Sequence, residues 1–237
     1  MKKFLKETDF PVEQLPELFE LAHDLKKHRQ EHPARPLDRQ AWGLLFYKKS
    51  TRTRVSFQVG VQELGGQSVT LTADDMQLTR GESVADTAKV LSRYLHGLVI
   101  RCYEHEVIEE FSEKADIPVI NALTDYLHPC QIFSDLFTLA ERWGNGTPSP
   151  SALKGRKLAF LGDTACNMAN SWILGGAMTG MEISLSGPEE FTPDQTIRSE
   201  LLSAGLKENF SFYTDAKEAA KNADVVYTDV WVSMGRE

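Results

Sequence analysis

The sequence predicts an α/β protein built from two doubly wound parallel-sheet domains. Short apolar runs that suit buried strands alternate with longer stretches whose apolar residues recur at helical spacing. This alternation continues through most of the 237 residues, a length that allows one or two domains. Its clearest break is the Gly-, Pro- and Ser-rich stretch at residues 144–151. Repeated strand–helix alternation is typical of parallel sheets with helices on both faces, and this break indicates two such sheets.

The first predicted domain, residues 1–143, is interpreted from the spacing of its apolar residues. Leu15, Leu18 and Phe19 begin one apolar stripe, which predicts an amphipathic helix. Pro129 suits the first turn of the last helix, where its missing N–H is not needed. In chain order we expect a helix at 12–29, a strand at 42–47, a helix at 50–64, a strand at 67–72, a loop at 73–81, a helix at 82–96, a strand at 97–100, a helix around 107–111, a strand at 117–120 and a helix at 128–140.

The second predicted domain, residues 155–237, follows a linker at 144–154. It repeats the alternation of the first domain with shorter elements. In chain order we expect a strand at 156–161, a helix at 166–178, a strand at 182–185, a helix at 194–204, a strand at 210–213, a helix at 215–222 and a strand at 224–227.

An anion site is predicted where the strand at 42–47 meets the following helix. The stretch Ser50-Thr51-Arg52-Thr53-Arg54 places hydroxyls and two guanidiniums at that helix start. The first N–H groups of a helix have no partner within it, and the helix dipole is positive there, so an anion is favoured. Arginine adds a planar fork that matches phosphate oxygens in pairs. The alternative is a serine N-cap followed by arginines that face solvent.

Other polar residues follow strands in the same way. Arg101 and His128 each come after a predicted strand. Ligands of doubly wound sheets bind beyond the carboxyl ends of the strands, so separate segments deliver suitable groups to one edge. This convergence favours the phosphate site over the alternative. The basic residues that stand out against an acidic background are Lys48, Lys49, Arg52, Arg54, Arg80 and Arg101.

The composition argues against several classes of protein. A net charge of −8 disfavours a general binder of nucleic acid or of membrane surfaces. No apolar run is long enough to span a membrane, and no apolar segment of a signal peptide follows Met1-Lys2-Lys3. The cysteines are odd in number and unevenly spaced, which suggests a reducing compartment and neither a disulfide framework nor a zinc site. We therefore expect a cytoplasmic protein without a nucleic-acid or membrane partner.

Four motifs occur in a characteristic order and spacing. They are Phe46-x-Lys48-x-Ser50-Thr51-Arg52-Thr53-Arg54, Arg101, His128-Pro129-Cys130-Gln131 and Asp229-x-Trp231-x-Ser233-Met234-Gly235. Together they resemble the ornithine carbamoyltransferases, within the aspartate/ornithine carbamoyltransferase superfamily, over nearly the whole chain. The aspartate enzymes share the first and third motifs, whereas the last is specific to the ornithine enzymes. The resemblance implies transfer of a carbamoyl group from carbamoyl phosphate to the side-chain amine of L-ornithine, which yields L-citrulline and phosphate in arginine biosynthesis or catabolism.

The resemblance also implies roles in a first, carbamoyl phosphate-binding domain. The phosphate would be bound by Ser50, Thr51, Arg52 and Thr53, with Gln77 contributed by a neighbouring subunit. The carbamoyl oxygen and amide would be bound by Arg101, His128 and Gln131. Negative charge develops on that oxygen when the amine attacks, so donors aimed at it act as an oxyanion hole. Arg101 and His128 are therefore the catalytic candidates, and the resemblance implies no metal or other cofactor.

The second domain would bind ornithine. The resemblance implies that Asn167 binds its carboxylate end, that Asp229 accepts from its α-amino group, and that Ser233 and Met234 close over it. It also implies a homotrimer with active sites between subunits. Family members continue past the Ser-Met-Gly motif into a His-Cys-Leu-Pro segment, a later arginine and a C-terminal helix. We therefore expect a truncated chain with an incomplete second domain and poor turnover.

Simpler interpretations remain open for single residues. Arg54 suits a structural salt bridge, His128 a capping residue and Asp229 a strand-end turn. Asn167 follows a strand-Gly-Asp turn that resembles a dinucleotide site, although the glycine fingerprint is absent. For the whole chain, the alternatives are a carbamoyltransferase for a modified ornithine, putrescine or another amine, and an inactive ligand-binding paralogue.

Overall fold

The computed structural model describes residues 3–29, 31–72, 75–76 and 81–230. Three predicted site residues, Gln77, Ser233 and Met234, lie outside these ranges, as does most of the predicted loop at 73–81. The chain divides into two compact units, which are described separately. One consists of Met1–Leu5 and Asp24–Asp125, and the other of Lys6–His23 and Tyr126–Glu237. The domain boundaries at 143 and 155 were placed from the composition of the linker, and they stay predictions.

The first unit contains a five-stranded parallel sheet. Its strands are β1 (Lys3–Phe4), β2 (Ala41–Phe46), β3 (Gln67–Thr72), β4 (Gly97–Arg101) and β5 (Val119–Leu123), and its helices are α2 (Arg52–Glu63), α3 (Val84–Tyr94) and α4 (His105–Lys114). Helix α1 (Leu15–Lys27) precedes them in the chain and lies mostly within the second unit. The spatial order is β1-β5-β4-β2-β3. The chain therefore passes from β2 to β3 on one side and returns to β4 on the other.

Helices cover both faces of this sheet. Leu45 and Ile100 pack into a buried cluster with Phe111 of α4, and Ala88 of α3 belongs to the same cluster. The alternate residues Leu44, Phe46 and Val99 form a cluster on the other face, against which Phe57 of α2 packs. Successive side chains of a strand point to opposite faces, so apolar runs in β2 and β4 require a cover on each side.

The second unit contains a four-stranded parallel sheet. Its strands are β6 (Lys157–Leu161), β7 (Glu182–Ser186), β8 (Phe210–Tyr213) and β9 (Val225–Tyr227), and its helices are α5 (Pro129–Trp143), α6 (Asn167–Thr179), α7 (Gln195–Ser203) and α8 (Ala216–Ala220). The spatial order is β8-β7-β6-β9, so the direction of winding reverses at β6. The predicted fold of two doubly wound parallel sheets is confirmed, and the second sheet is the smaller.

The structure differs from the predicted elements at a few ends. The first helix begins at Leu15 and follows a short 3₁₀ turn at Val12–Gln14, because Pro16 is accommodated only in a first turn. The two-residue strand β1 has no counterpart among the predicted elements, since Lys3–Phe4 is too short to show periodicity. Helix α6 ends at Gly180, whose φ of 74° is left-handed. Among the described residues, no helix is both long enough and apolar enough to cross a membrane.

Candidate functional site

The predicted anion site lies where the winding of the first sheet reverses. Phe46, the last residue of β2, pairs with Arg101, the last residue of β4. Ligands of open α/β sheets bind beyond the carboxyl ends of strands at such a reversal. Helix α2 begins there with Arg52, and its first turn contains no acidic residue and no side-chain cap. The first N–H groups of α2 therefore lack the internal partners that caps usually supply.

Arg101 and the start of α2 are joined directly. Its Nη1 donates a hydrogen bond to Thr53 Oγ1 over 2.9 Å. Burial, together with the positive charge of Arg52, lowers the pKa of Arg101. Its buried Nε makes no hydrogen bond within the described ranges. Neither Arg52 nor Arg101 forms an ion pair with a described carboxylate. Two like charges held close together, with no described carboxylate to neutralise them, favour the binding of an anion.

Lys48 adds a further positive charge to this edge of the sheet. Its Nζ lies 4.2 Å from the centre of the Tyr103 ring, a cation–π distance. Burial, and to a smaller degree the charge of Arg101, lowers the pKa of Lys48 to about 8. At neutral pH the ammonium therefore remains mostly protonated, and it strengthens the positive potential near Arg101.

In the second unit, His128 is the N-cap residue of α5. It is buried, and its backbone N–H donates to Ser171 Oγ of α6 over 2.8 Å. Helices α5 and α6 approach closely because Gly175 has no side chain. A Cβ there would lie 2.4 Å from Ile132 Cγ2. The glycine therefore sets the helix spacing at which Ser171 meets His128.

Gln131 takes part in a hydrogen-bonded network at the first turn of α5. Its Nε2 donates to Asp135 Oδ1 over 2.9 Å, and Tyr227 donates its hydroxyl to Asp135 Oδ2 over 3.0 Å. Burial raises the pKa of Asp135, and these two hydrogen bonds oppose the rise. The network therefore connects Gln131 to the last residue of β9.

The predicted amino-acid residues flank the reversal point of the second sheet. Asn167 is the first residue of α6, which follows β6, and it is buried. Asp229 follows β9, the strand that pairs with β6, and it is exposed. Burial raises the pKa of Cys166, the residue before Asn167, and the charge of Asp229 adds a small part of that rise. A carboxylate and an amide thus lie near one helix start, an arrangement suited to a zwitterionic ligand.

The structure thus groups the predicted residues by unit. Ser50, Thr51, Arg52, Thr53 and Arg101 lie together in the first unit, and His128, Gln131, Asn167 and Asp229 belong to the second. Arg54 is exposed and forms no ion pair within the described part of the chain, so the structural salt bridge suggested for it has no support there. Ser171, Asp135 and Tyr227 were missed by the sequence analysis. Asp135 stands four residues after Gln131 on a predicted helix, a spacing that signals contact.

Comparison with known proteins assigns the chain to a family. The model described as aspartate/ornithine carbamoyltransferase, carbamoyl-P binding domain, matches residues 2–141. The model described as aspartate/ornithine carbamoyltransferase, Asp/Orn binding domain, matches residues 154–237. The chain belongs to the aspartate/ornithine carbamoyltransferase family. The predicted family is confirmed, and the protein is a transferase, as predicted.

Close relatives in this family are named ornithine carbamoyltransferase. The protein of Methanoculleus marisnigri is 45% identical over 237 residues, which are 100% of this chain and 74% of the relative. The protein of Syntrophus aciditrophicus is 46% identical over 240 residues, covering 100% of this chain and 76% of the relative. The solved ornithine carbamoyltransferase of Pyrococcus furiosus superposes with a TM-score of 0.87 at 37% identity, covering 100% of this chain and 74% of that one. The chain therefore spans about three quarters of these relatives.

Proposed function

We propose that the protein transfers the carbamoyl group of carbamoyl phosphate to the side-chain amine of L-ornithine and forms L-citrulline and phosphate. The observation that carries this proposal is the Arg101–Thr53 hydrogen bond beside Arg52 at the start of α2. The two arginines provide positive charge, and the start of α2 provides backbone N–H groups, at the point where the first sheet reverses. This combination suits a phosphate dianion. The family models for carbamoyl phosphate and Asp/Orn binding domains support the same pair of substrates.

In the proposed complex, the first unit binds the phosphate through Ser50, Thr51, Arg52 and Thr53. Arg52 pairs with two phosphate oxygens, while hydroxyls and N–H groups of the first turn take the others. Arg101 already donates to Thr53 from Nη1, and its remaining N–H groups are available to a ligand oxygen. The acceptor of Arg101 Nε would then be the substrate, which explains a buried donor without a described partner.

The reaction needs no enzyme nucleophile in this proposal. The lone pair of the ornithine side-chain amine forms a bond to the carbonyl carbon, and negative charge develops on the carbonyl oxygen. Arg101 and His128 donate to that oxygen and stabilise the tetrahedral state. The bond from carbon to the bridging oxygen then breaks, phosphate leaves with the electron pair, and a phosphate oxygen accepts the amine proton. Most of the rate comes from the positioning of two bound substrates.

The second unit supplies the amino-acid residues of the proposal. Asn167 is proposed to bind the carboxylate end of ornithine, and Asp229 to accept from the α-amino group. Their positions beside the paired strands β6 and β9, where the second sheet reverses, support these roles. Ser233 and Met234, which lie outside the described residues, are proposed to close over the ligand. We further propose a homotrimer in which Gln77 reaches the carbamoyl phosphate of a neighbouring subunit. Analytical ultracentrifugation tests this assembly, and a monomer that forms citrulline at full rate would contradict it.

The proposed function is tested with carbamoyl phosphate and a panel of amines. We expect citrulline and phosphate to appear in equal amounts with L-ornithine, and no product with putrescine or N-acetylornithine. Arg52→Ala is the negative control and should form little product, since it removes the proposed phosphate ligand. If another amine is carbamoylated in preference to ornithine, that amine is the substrate and the proposed acceptor is wrong. Binding of carbamoyl phosphate without any product would indicate a ligand-binding paralogue.

A further inference from the structure

The Gln131–Asp135–Tyr227 network defines the orientation of one side-chain amide. An ionised carboxylate only accepts hydrogen bonds. Asp135 Oδ1 therefore selects the amino end of the Gln131 amide, which donates to it over 2.9 Å. A flipped amide would place its oxygen against the carboxylate oxygen, and two acceptors repel each other. Oε1 of Gln131 is consequently turned away from Asp135 as the acceptor that the side chain offers to a ligand.

Asp135 is itself held in place from a second element. Its Oδ2 accepts from the Tyr227 hydroxyl over 3.0 Å, so each carboxylate oxygen has one donor. The Tyr227 ring stacks on Phe160 at a centroid distance of 5.7 Å and meets Trp172 edge-on at 5.3 Å. These aromatic contacts restrict the ring and thereby fix the hydroxyl. A rigid backing of this kind keeps a recognition group within the narrow geometry that binding requires.

The position of the network links two ends of the second unit. Gln131 lies on the first turn of α5, whereas Tyr227 ends β9, two residues before Asp229. Asp135 connects them through its bond to Tyr227, which lies 92 positions further along the chain. The strand that leads to the proposed amino-acid site therefore also supports the residue proposed to bind the carbamoyl group.

We propose that Asp135 is a positioning residue that orients Gln131 so that its Oε1 recognises the NH₂ group of a carbamoyl ligand, with Tyr227 as support. This inference rests on the proposed function in that it takes the ligand of Gln131 to be carbamoyl phosphate. The NH₂ group distinguishes that ligand from acetyl phosphate, which carries a methyl group at the same place and has the same phosphate. A fixed acceptor is satisfied only by the first of the two.

The test measures dissociation constants of carbamoyl phosphate and acetyl phosphate by titration calorimetry. The ratio of the two constants reports recognition of the NH₂ group, because the contribution of the phosphate is the same for both ligands and cancels. We expect the unaltered protein to prefer carbamoyl phosphate. Asp135→Ala removes both carboxylate oxygens and should reduce that preference roughly tenfold, the effect of one hydrogen bond. Tyr227→Phe keeps the ring contacts and should reduce the preference by a smaller factor. Glu141→Ala, a matched acid-to-alanine change on the same helix, should leave the preference unaltered.

A double-variant cycle separates positioning from a structural role. If Asp135 acts through Gln131, then Asp135→Ala has no further effect on the preference in a Gln131→Ala background. The proposal would be overturned if the preference fell equally in both backgrounds, or if the binding of both ligands weakened by the same factor. The same holds if the unaltered protein fails to prefer carbamoyl phosphate. A normal preference without citrulline formation would instead contradict only the proposed function.

Discussion

Arg101 Nη1 donates to Thr53 Oγ1 over 2.9 Å and thereby ties the last residue of β4 to the first turn of α2. The tie crosses the point at which the winding of the first sheet reverses. It also brings the Arg101 guanidinium near Arg52, although like charges repel. An anion bound between the two guanidiniums would remove that repulsion, which is the role we propose for the phosphate of carbamoyl phosphate.

Arg52→Ala should weaken carbamoyl phosphate binding strongly. Loss of one charged hydrogen-bonding partner is worth about 1.5–3 kcal/mol, or roughly 10- to 150-fold in the dissociation constant. Titration calorimetry with carbamoyl phosphate measures the effect. Arg54→Ala is the matched control on the same helix, because Arg54 is exposed and has no ion-pair partner among the described residues. Equal losses in both variants would mean that the effect is general electrostatics and that Arg52 is not a specific ligand.

Thr53→Val should lower the rate of citrulline formation by about tenfold. Valine has nearly the shape of threonine but lacks the hydroxyl that accepts the hydrogen bond of Arg101. Thr53→Ser retains the hydroxyl and should recover most of the rate. Steady-state kinetics with varied carbamoyl phosphate distinguishes the two variants. If the Thr53→Ser and Thr53→Val variants form citrulline equally slowly, the methyl group of Thr53 matters more than its hydrogen bond with Arg101.

Glu7→Gln should change how stability depends on pH. Glu7 is fully buried, and burial raises its carboxyl pKa from 4.5 to about 7. Below pH 4.5 the carboxyl is neutral in both folded and unfolded chains, and its contribution to stability is fully present. As the pH rises from 4.5 to about 7, the Glu7 carboxyl ionises in the unfolded chain before it does so in the folded one. The free energy of unfolding therefore falls by roughly 3 kcal/mol.

Urea denaturation between pH 4.5 and pH 8 checks this expectation. The free energy of unfolding of the Glu7→Gln variant should lack the fall that the unaltered protein shows up to about pH 7. The exposed Glu13→Gln provides the control and should retain the full fall. Parallel curves for the unaltered protein and Glu7→Gln would mean that another buried group titrates.

Gly175→Ala should destabilise the second unit by about 1–3 kcal/mol, since its Cβ would lie 2.4 Å from Ile132 Cγ2. It should also reduce activity, because the α5–α6 spacing places Ser171 against His128. Thermal unfolding and citrulline formation are measured together. Gly60→Ala is the control, as nothing lies within 4 Å of its Cβ and alanine favours the helix by up to about 1 kcal/mol. A stable, fully active Gly175→Ala variant would show that the helices separate freely.

Most elements could be predicted from the sequence because their patterns are local. Strands Gln67–Thr72 and Phe210–Tyr213 match the predicted bounds, and other ends differ by a few residues. Strand β1 could not be predicted, since its two residues are ordered by pairing with Val119 and Ile120 more than a hundred positions away. Its formation depends on a partner strand that no local pattern reveals.

Some features of the candidate site also follow from local sequence, whereas others depend on distant contacts. The fold class, the family motifs and the helix start beside Ser50 to Thr53 could be read from the sequence alone, because periodicity and helix-end chemistry act over a few residues. The contacts of Arg101 with Thr53 and of Tyr227 with Asp135 depend instead on the tertiary structure. These contacts join residues 48 and 92 positions apart. They exist because strand order, and with it the point of reversal, arises from the packing of the whole sheet.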